Sequence, residues 1–139
     1  MDMKTFFLFL GLLLCANVAW AQQKPVRIVF DVTSADPSVH QAAIRHVSLM
    51  AQSYPGSSYE VVVYGQAIEM VLDSKSSVAK EIATLASGNQ VKFAVCELTM
   101  KKFNVDKPQL IGGVMSVPDG ILEIYSRQQE GWGYIKEGH

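Results

Sequence analysis

Apolar residues along the chain fall into short continuous runs that alternate with stretches of helical spacing. Residues 26–32 (VRIVFDV) are β-branched and aromatic, with a polar Asp31 near the end, the pattern of a buried strand. Asp36 then stands at a capping position and Pro37 at a first helical position. Val39, Ala43, Ile44, Val47 and Met50 recur at helical spacing until Tyr54-Pro55-Gly56 stops the run. Residues 59–64 form a second strand closed by Gly65, and residues 68–72 a single helical turn. Residues 77–86 carry Val78, Ile82, Ala83 and Leu85 on one face and end at Gly88-Asn89. Residues 91–96 are a third strand, 99–103 a short helix and 114–117 a fourth strand. Pro118-Asp119-Gly120 opens a last helix with Ile121, Leu122, Ile124 and Tyr125 as its apolar side. That helix ends near Gly131, and WGYIK follows as a short strand or a tail.

Strands alternating with helices predict βαβ units, and hence a parallel sheet with helices on both faces. The strands are almost continuously apolar, which fits a sheet covered on both sides. Right-handed crossovers bring all the strand C-termini to one edge, where open α/β sheets place their sites. Asp31, Thr33, Tyr64, Gly65, Cys96, Glu97, Val117 and Pro118 gather at that edge. No repeat, low-complexity tract or linker divides the chain.

The first residues change the picture. Lys4 precedes the apolar run FFLFLGLLLCANVAW, and Ala19-Trp20-Ala21 puts small residues where a signal peptidase reads. This is a secretory signal pattern, too short for a comfortable membrane span. We therefore expect residues 1–21 to be a signal peptide and 22–139 one domain, exported across the inner membrane to the periplasm. Removing the signal takes away Asp2 and Lys4, so the formal charge stays at −1. Neither that balance nor any basic run points to nucleic acid or to an anionic membrane. The chain has two cysteines, and Cys15 leaves with the signal. Cys96 then has no partner for an internal disulfide, so packing alone must hold the core.

Cys96 ends a strand just before a helix start. Unpaired N–H groups and the positive end of the helix dipole favour a thiolate there, while the neighbouring Glu97 carboxylate opposes it. The alternative is that Cys96 is a small buried hydrophobe. Asp31 and Glu97 can meet at the sheet edge as an acid/base pair or serve as solvated carboxylates and caps. Trp132 and Tyr134 are either interface anchors or fold back on their own domain. His40 and His46 are six apart, on different faces of one helix, and make a poor metal pair. Met50, Met70, Met100 and Met115 are spread through apolar segments as core filling. G-x-S-x-G, P-loop and G-x-G-x-x-G motifs are all missing, so hydrolase, nucleotide and dinucleotide readings lack support, and no cofactor is implied.

The second half of the chain carries a resemblance. FAVCELTMKKFNV, then GVMSVPDGILEIYSRQQEGWGYIKEG, resembles the C-terminal half of the DsrE/DsrF-like family. The matching positions are Cys96, Thr99 and Met100, then Val117, Pro118 and Gly120. Gln128, Glu130, Gly131, Trp132, Tyr134 and Ile135 complete them. EVVVYGQAIEMVL is similar to the family's second strand and turn, with Tyr64 where many members carry His. The resemblance implies a three-layer α/β sandwich on a mostly parallel five-stranded sheet, assembled as trimers or hexamers. For the cysteine-bearing members it implies a sulfur relay in which the thiol carries a persulfide between a donor and an acceptor protein. Cys96 matches the sulfur-carrying position, with Asp31, Tyr64, Gly65, Glu97, Thr99 and Pro118 as surrounding binding residues.

Overall fold

The computed structural model describes residues 2–5 and 24–138; most of the expected signal segment lies outside them. Five strands form one sheet: β1 (Arg27–Val32), β2 (Ser58–Val63), β3 (Val91–Cys96), β4 (Met115–Val117) and β5 (Gly133–Glu137). Their order is β4-β3-β2-β1-β5 and every pairing is parallel. The helices are α1 (Pro37–Ser53), α2 (Ala79–Ala86), α3 (Glu97–Lys102) and α4 (Gly120–Gln129), with 3₁₀ turns at Gly65–Val71 and Lys107–Gln109. Among the described residues, no helix is long and apolar enough to cross a membrane.

The expected elements form for the expected reasons. Asp36 caps α1 by accepting from Ser38 N at 2.8 Å, with Pro37 in the first turn. Gly56, at φ +80, takes the left-handed turn that leads into β2. Asp119 caps α4, its Oδ1 accepting from Ile121 N and Leu122 N. WGYIK resolves as a strand, with β5 lying against β1.

The two faces of the sheet are covered unequally. On one face, α1, α2, α3 and the first 3₁₀ turn bury Val39, Ile44, Val47, Ile68, Ile82 and Met100. These pack on Phe30, Val61, Phe93 and Val95 of the strands. On the other face, among the described helices, α4 packs, with Ile124 against Val29, Val62, Ala94 and Val117. The expected apolar side of α4 is therefore corrected: Ile121, Leu122 and Tyr125 are 65%, 56% and 57% exposed. The face turned to the sheet runs through Gly120, Ile124 and Arg127, an i, i+4, i+7 stripe with one apolar member. Met115, expected in the core, is also exposed, and Ile82 is the only fully buried residue of α2.

Arg127 explains that stripe. Its Nε donates to Glu60 Oε2, while Nη2 reaches Glu123 at 3.0 Å and Nη1 reaches Glu130 at 3.2 Å. The guanidinium lies 5.2 Å from the Trp132 ring centroid. Glu60 sits mid-β2, fully buried, and its Oε1 has no hydrogen-bond partner. Burial first, then the neighbouring Glu123 carboxylate, raises its pKa to about 7 despite Arg127.

Because the folded-state pKa lies above the usual carboxylate value, Glu60 favours the fold most in acid. That contribution is lost as pH rises from about 4.5 to about 7. Glu60→Gln, neutral at every pH, should gain on the wild type by on the order of 1–3 kcal/mol between acid and mildly alkaline buffer. Urea unfolding across that range checks this; parallel stability curves for the two proteins would contradict it.

Candidate functional site

The strand order creates one crevice. The chain leaves β3 into α3 on the first face and leaves the adjacent β4 into α4 on the second. Connections that part in opposite directions open a gap at the strand C-termini, the place where open α/β sheets bind ligands. Cys96 stands in that gap as the last residue of β3 and the N-cap of α3, which starts at Glu97 rather than at Thr99. Its side chain makes no capping bond and the residue is 5% exposed.

A cavity of about 300 Å³ opens over it, lined by Tyr64, Gly65, Cys96, Thr99 and Asp119. Leu98 and Ile121 are exposed apolar residues of the lining, and Lys102 is its cation. Thr99 Oγ1 accepts from Gly65 N at 3.0 Å, tying the first turn of α3 to the turn after β2. Gly65 holds φ +60, a conformation that suits glycine. The start of α4 closes the opposite wall at Gly120. A Cβ there would stand 3.2 Å from Cys96 Cβ and 3.3 Å from Tyr64 Cβ, so glycine allows the helix to approach the thiol.

Asp31 lies one step behind this wall, buried on β1. Its Oδ2 accepts from Tyr134 Oη at 2.6 Å and from Tyr64 Oη at 3.5 Å, and its Oδ1 pairs with Lys136 Nζ at 3.2 Å. The bond to Asp31 is the main reason the Tyr134 pKa is pushed up to about 12. Burial, then the Asp31 charge, raises that of Tyr64. Both phenols stay protonated donors at neutral pH.

Among the expected site residues, Cys96, Tyr64, Gly65 and Thr99 share the cavity, and Asp31 joins them through Tyr64. Glu97 does not meet Asp31; it accepts from Ser116 Oγ at 2.8 Å. Pro118 is exposed and does not line the cavity. Trp132 packs on Arg127 of its own domain, and Tyr134 spends its hydroxyl on Asp31. His40 bonds the Ser34 carbonyl at 2.7 Å and His46 bonds Glu137 at 2.9 Å. Leu98 and Lys102 were not singled out in the sequence, and Asp119 and Ile121 were read only as part of a helix; the signal of all four is adjacency to the two helix starts. Lys136 and Tyr134 reach Asp31 only because β5 pairs with β1, in the register Asp31↔Lys136.

A family model described as the DsrE/DsrF-like family matches residues 27–136. The chain belongs to this family. Two solved structures agree in fold. One is a protein of unknown function, MTH1491, from Methanobacterium thermoautotrophicum. It is 28% identical with a TM-score of 0.74, over 80% of this chain and 98% of that one. The other is the ychN protein from E. coli, 13% identical with a TM-score of 0.69 over the same shares. No curated protein matches the chain.

The close approach at Gly120 makes a direct expectation. Gly120→Ala forces its neighbours apart, and overpacking of this kind costs about 1–3 kcal/mol, more than the helix propensity that alanine returns. Denaturant unfolding should show a net loss of about 1 kcal/mol. An unchanged or raised midpoint would mean the wall of the thiol cavity is soft.

Proposed function

We propose that this protein carries sulfur on Cys96, as a persulfide taken from one molecule and handed to another. The observation that carries the proposal is the position of its unpaired thiol, in a cavity at the crevice between β3 and β4. Membership in a family associated with sulfur relay supports it. The loading step is a thiol exchange. The Cys96 thiolate attacks the outer sulfur of a persulfide or polysulfide donor, a new S–S bond forms on Cys96, and the donor S–S bond breaks. The donor leaves as a thiolate and takes up the proton that Cys96 gave up. No electron is gained or lost overall, so no further oxidant or reductant is needed. The proposal puts this exchange in the periplasm, on the support of the signal pattern; there a thiol without an internal partner escapes being locked in an intramolecular disulfide.

Self-association belongs to the same proposal. Ile121, Leu122 and Tyr125 form an exposed apolar row on α4, beside the cavity that Ile121 lines. A second copy covering this row would bury it and enclose the thiol, in keeping with the trimer or hexamer that the family resemblance implies. Trp132, already packed against Arg127, contributes by seating α4.

A second reading has its own support. Cys96 is nearly buried, so the chain can instead be an oligomeric interaction or small-ligand module in which the sulfur is packing. Alkylation separates the two. A carrier thiol reacts in the native state with a pH-dependent rate, whereas a packing thiol reacts only after denaturation.

Two outcomes are expected. Cys96→Ser should keep the fold and oligomer, yet gain no sulfur from polysulfide by intact-mass measurement; equal loading of the serine variant would sink the carrier role. Leu122→Glu should weaken self-association at least about tenfold in sedimentation, because it buries a charge in an apolar contact. A wild-type monomer at micromolar concentration would remove the assembly from the proposal.

A further inference from the structure

We propose that Tyr64 is a positioning residue for the sulfur of Cys96, its phenol hydroxyl moving between Asp31 and an anionic sulfur held in the cavity. This rests on the sulfur-carrier reading above. Four residues stand in order across the C-terminal edge of one sheet face. Lys136 of β5 faces Asp31 of β1 in register. Tyr64 lies two residues past Val62 and Cys96 two past Ala94, and Val62 and Ala94 are themselves partners. Val62 is also the partner of Asp31, so Tyr64 stands diagonally between the buried carboxylate and the thiol, one step farther along its strand than Asp31. It touches both environments: its hydroxyl bonds Asp31 and the residue lines the cavity of Cys96.

The two phenols are held unequally. Tyr134 and Tyr64 donate to the same oxygen of Asp31, one at 2.6 Å and the other at 3.5 Å. The first has the length of a strong charge-assisted bond, and the second is at the limit of bonding. When the Tyr64 hydroxyl leaves, Asp31 keeps Tyr134 on Oδ2 and Lys136 on Oδ1, so no buried charge is stranded. In this proposal the Tyr64 ring turns about its Cα–Cβ bond, past Gly120, to bring the hydroxyl into the cavity that the residue lines. Strands lie about 4.8 Å apart, within reach of a phenol. Tyr64 stays protonated at neutral pH and is a ready donor to a thiolate or a persulfide anion. Tyr134, by holding Asp31 tightly, keeps Tyr64 free to move.

This division of labour fixes the signs of three substitutions. Tyr64→Phe removes the donor, and the rate of persulfide formation from polysulfide near neutral pH should fall about tenfold, with the half-maximal pH of the rate moving up by about one unit. Tyr134→Phe leaves Tyr64 as the only phenol on Asp31, pins it there, and should slow loading in the same way with Tyr64 itself intact. Asp31→Asn offers a weaker neutral acceptor, releases Tyr64, and should raise the rate. In a Tyr64→Phe background neither second change should add anything. A role in folding alone would instead push all three variants the same way and leave the pH profile unmoved.

The experiment follows the mass gain of full-length processed protein with inorganic polysulfide, across pH, for wild type and these variants. Opposite signs for Tyr134→Phe and Asp31→Asn, with Tyr64→Phe slow, is the expected result. A wild type that loads while Tyr64→Phe loads equally fast overturns the role of Tyr64 and leaves the carrier reading standing. A wild type that does not load overturns the carrier reading itself, and this inference with it.

Discussion

The Arg127 guanidinium, held between Glu60 of β2 and the acidic residues of its own segment, fixes α4 on a sheet face where little else holds it. A helix with only Ile124 fully buried among its larger side chains has little apolar area with which to hold its place. An ion pair with an excellent partner supplies what packing does not: one orientation of the helix, and so one position for its first residue. That first residue is Gly120, against the carbon that bears the sulfur. The geometry of the thiol cavity is therefore set at the far end of α4. A buried carboxylate with one unpartnered oxygen is the cost of this arrangement.

The alternation of strands and helices was legible because periodicity reports burial directly. The first βαβ unit reads almost residue for residue, from the Asp36 cap to the turn at Gly56. The architecture was legible too, since parallel strands buried on both faces leave little polar residue in their runs. What the pattern misled was α4. Its sheet-facing stripe of Gly120, Ile124 and Arg127 holds a single large apolar side chain, and its exposed side carries Ile121, Leu122 and Tyr125. Hydropathy assigns the faces the wrong way round when an ion pair does the seating and an uncovered row faces outward. Met115 misled for a related reason, because β4 is a short edge strand and part of its second face is left open.

The site was legible in part. Cys96, Tyr64 and Gly65 could be placed together because each ends a strand or begins the turn after it, and Thr99 came with Cys96 through the family resemblance. Asp31 was placed at the right edge, but neither a Glu97 pair nor a solvated or capping carboxylate describes its place. Its two closest partners come from β5, more than a hundred residues away in sequence, and no local pattern announces that β5 returns to the far side of β1. Non-local parallel pairing of this kind is invisible to spacing rules. It is settled by the one crossover that α4 makes over the second face.

The β3–α3 junction has no linker: Cys96 closes the strand and Glu97 is already helical. The chain has no slack there. One inserted residue would turn α3 by about 100°, pull Thr99 off the Gly65 amide and swing Leu98 and Lys102 out of the cavity lining. The stretch between α3 and β4 is built otherwise, with a turn, a 3₁₀ segment and two adjacent glycines before the strand. That stretch is held in its second half, where Gln109 and Ile111 bond the backbone of Asp73 and Val71, so only residues 103–108 lie outside this pinning. The sulfur is thereby indexed to the sheet itself, like a tooth cut into the rail rather than one fastened to it.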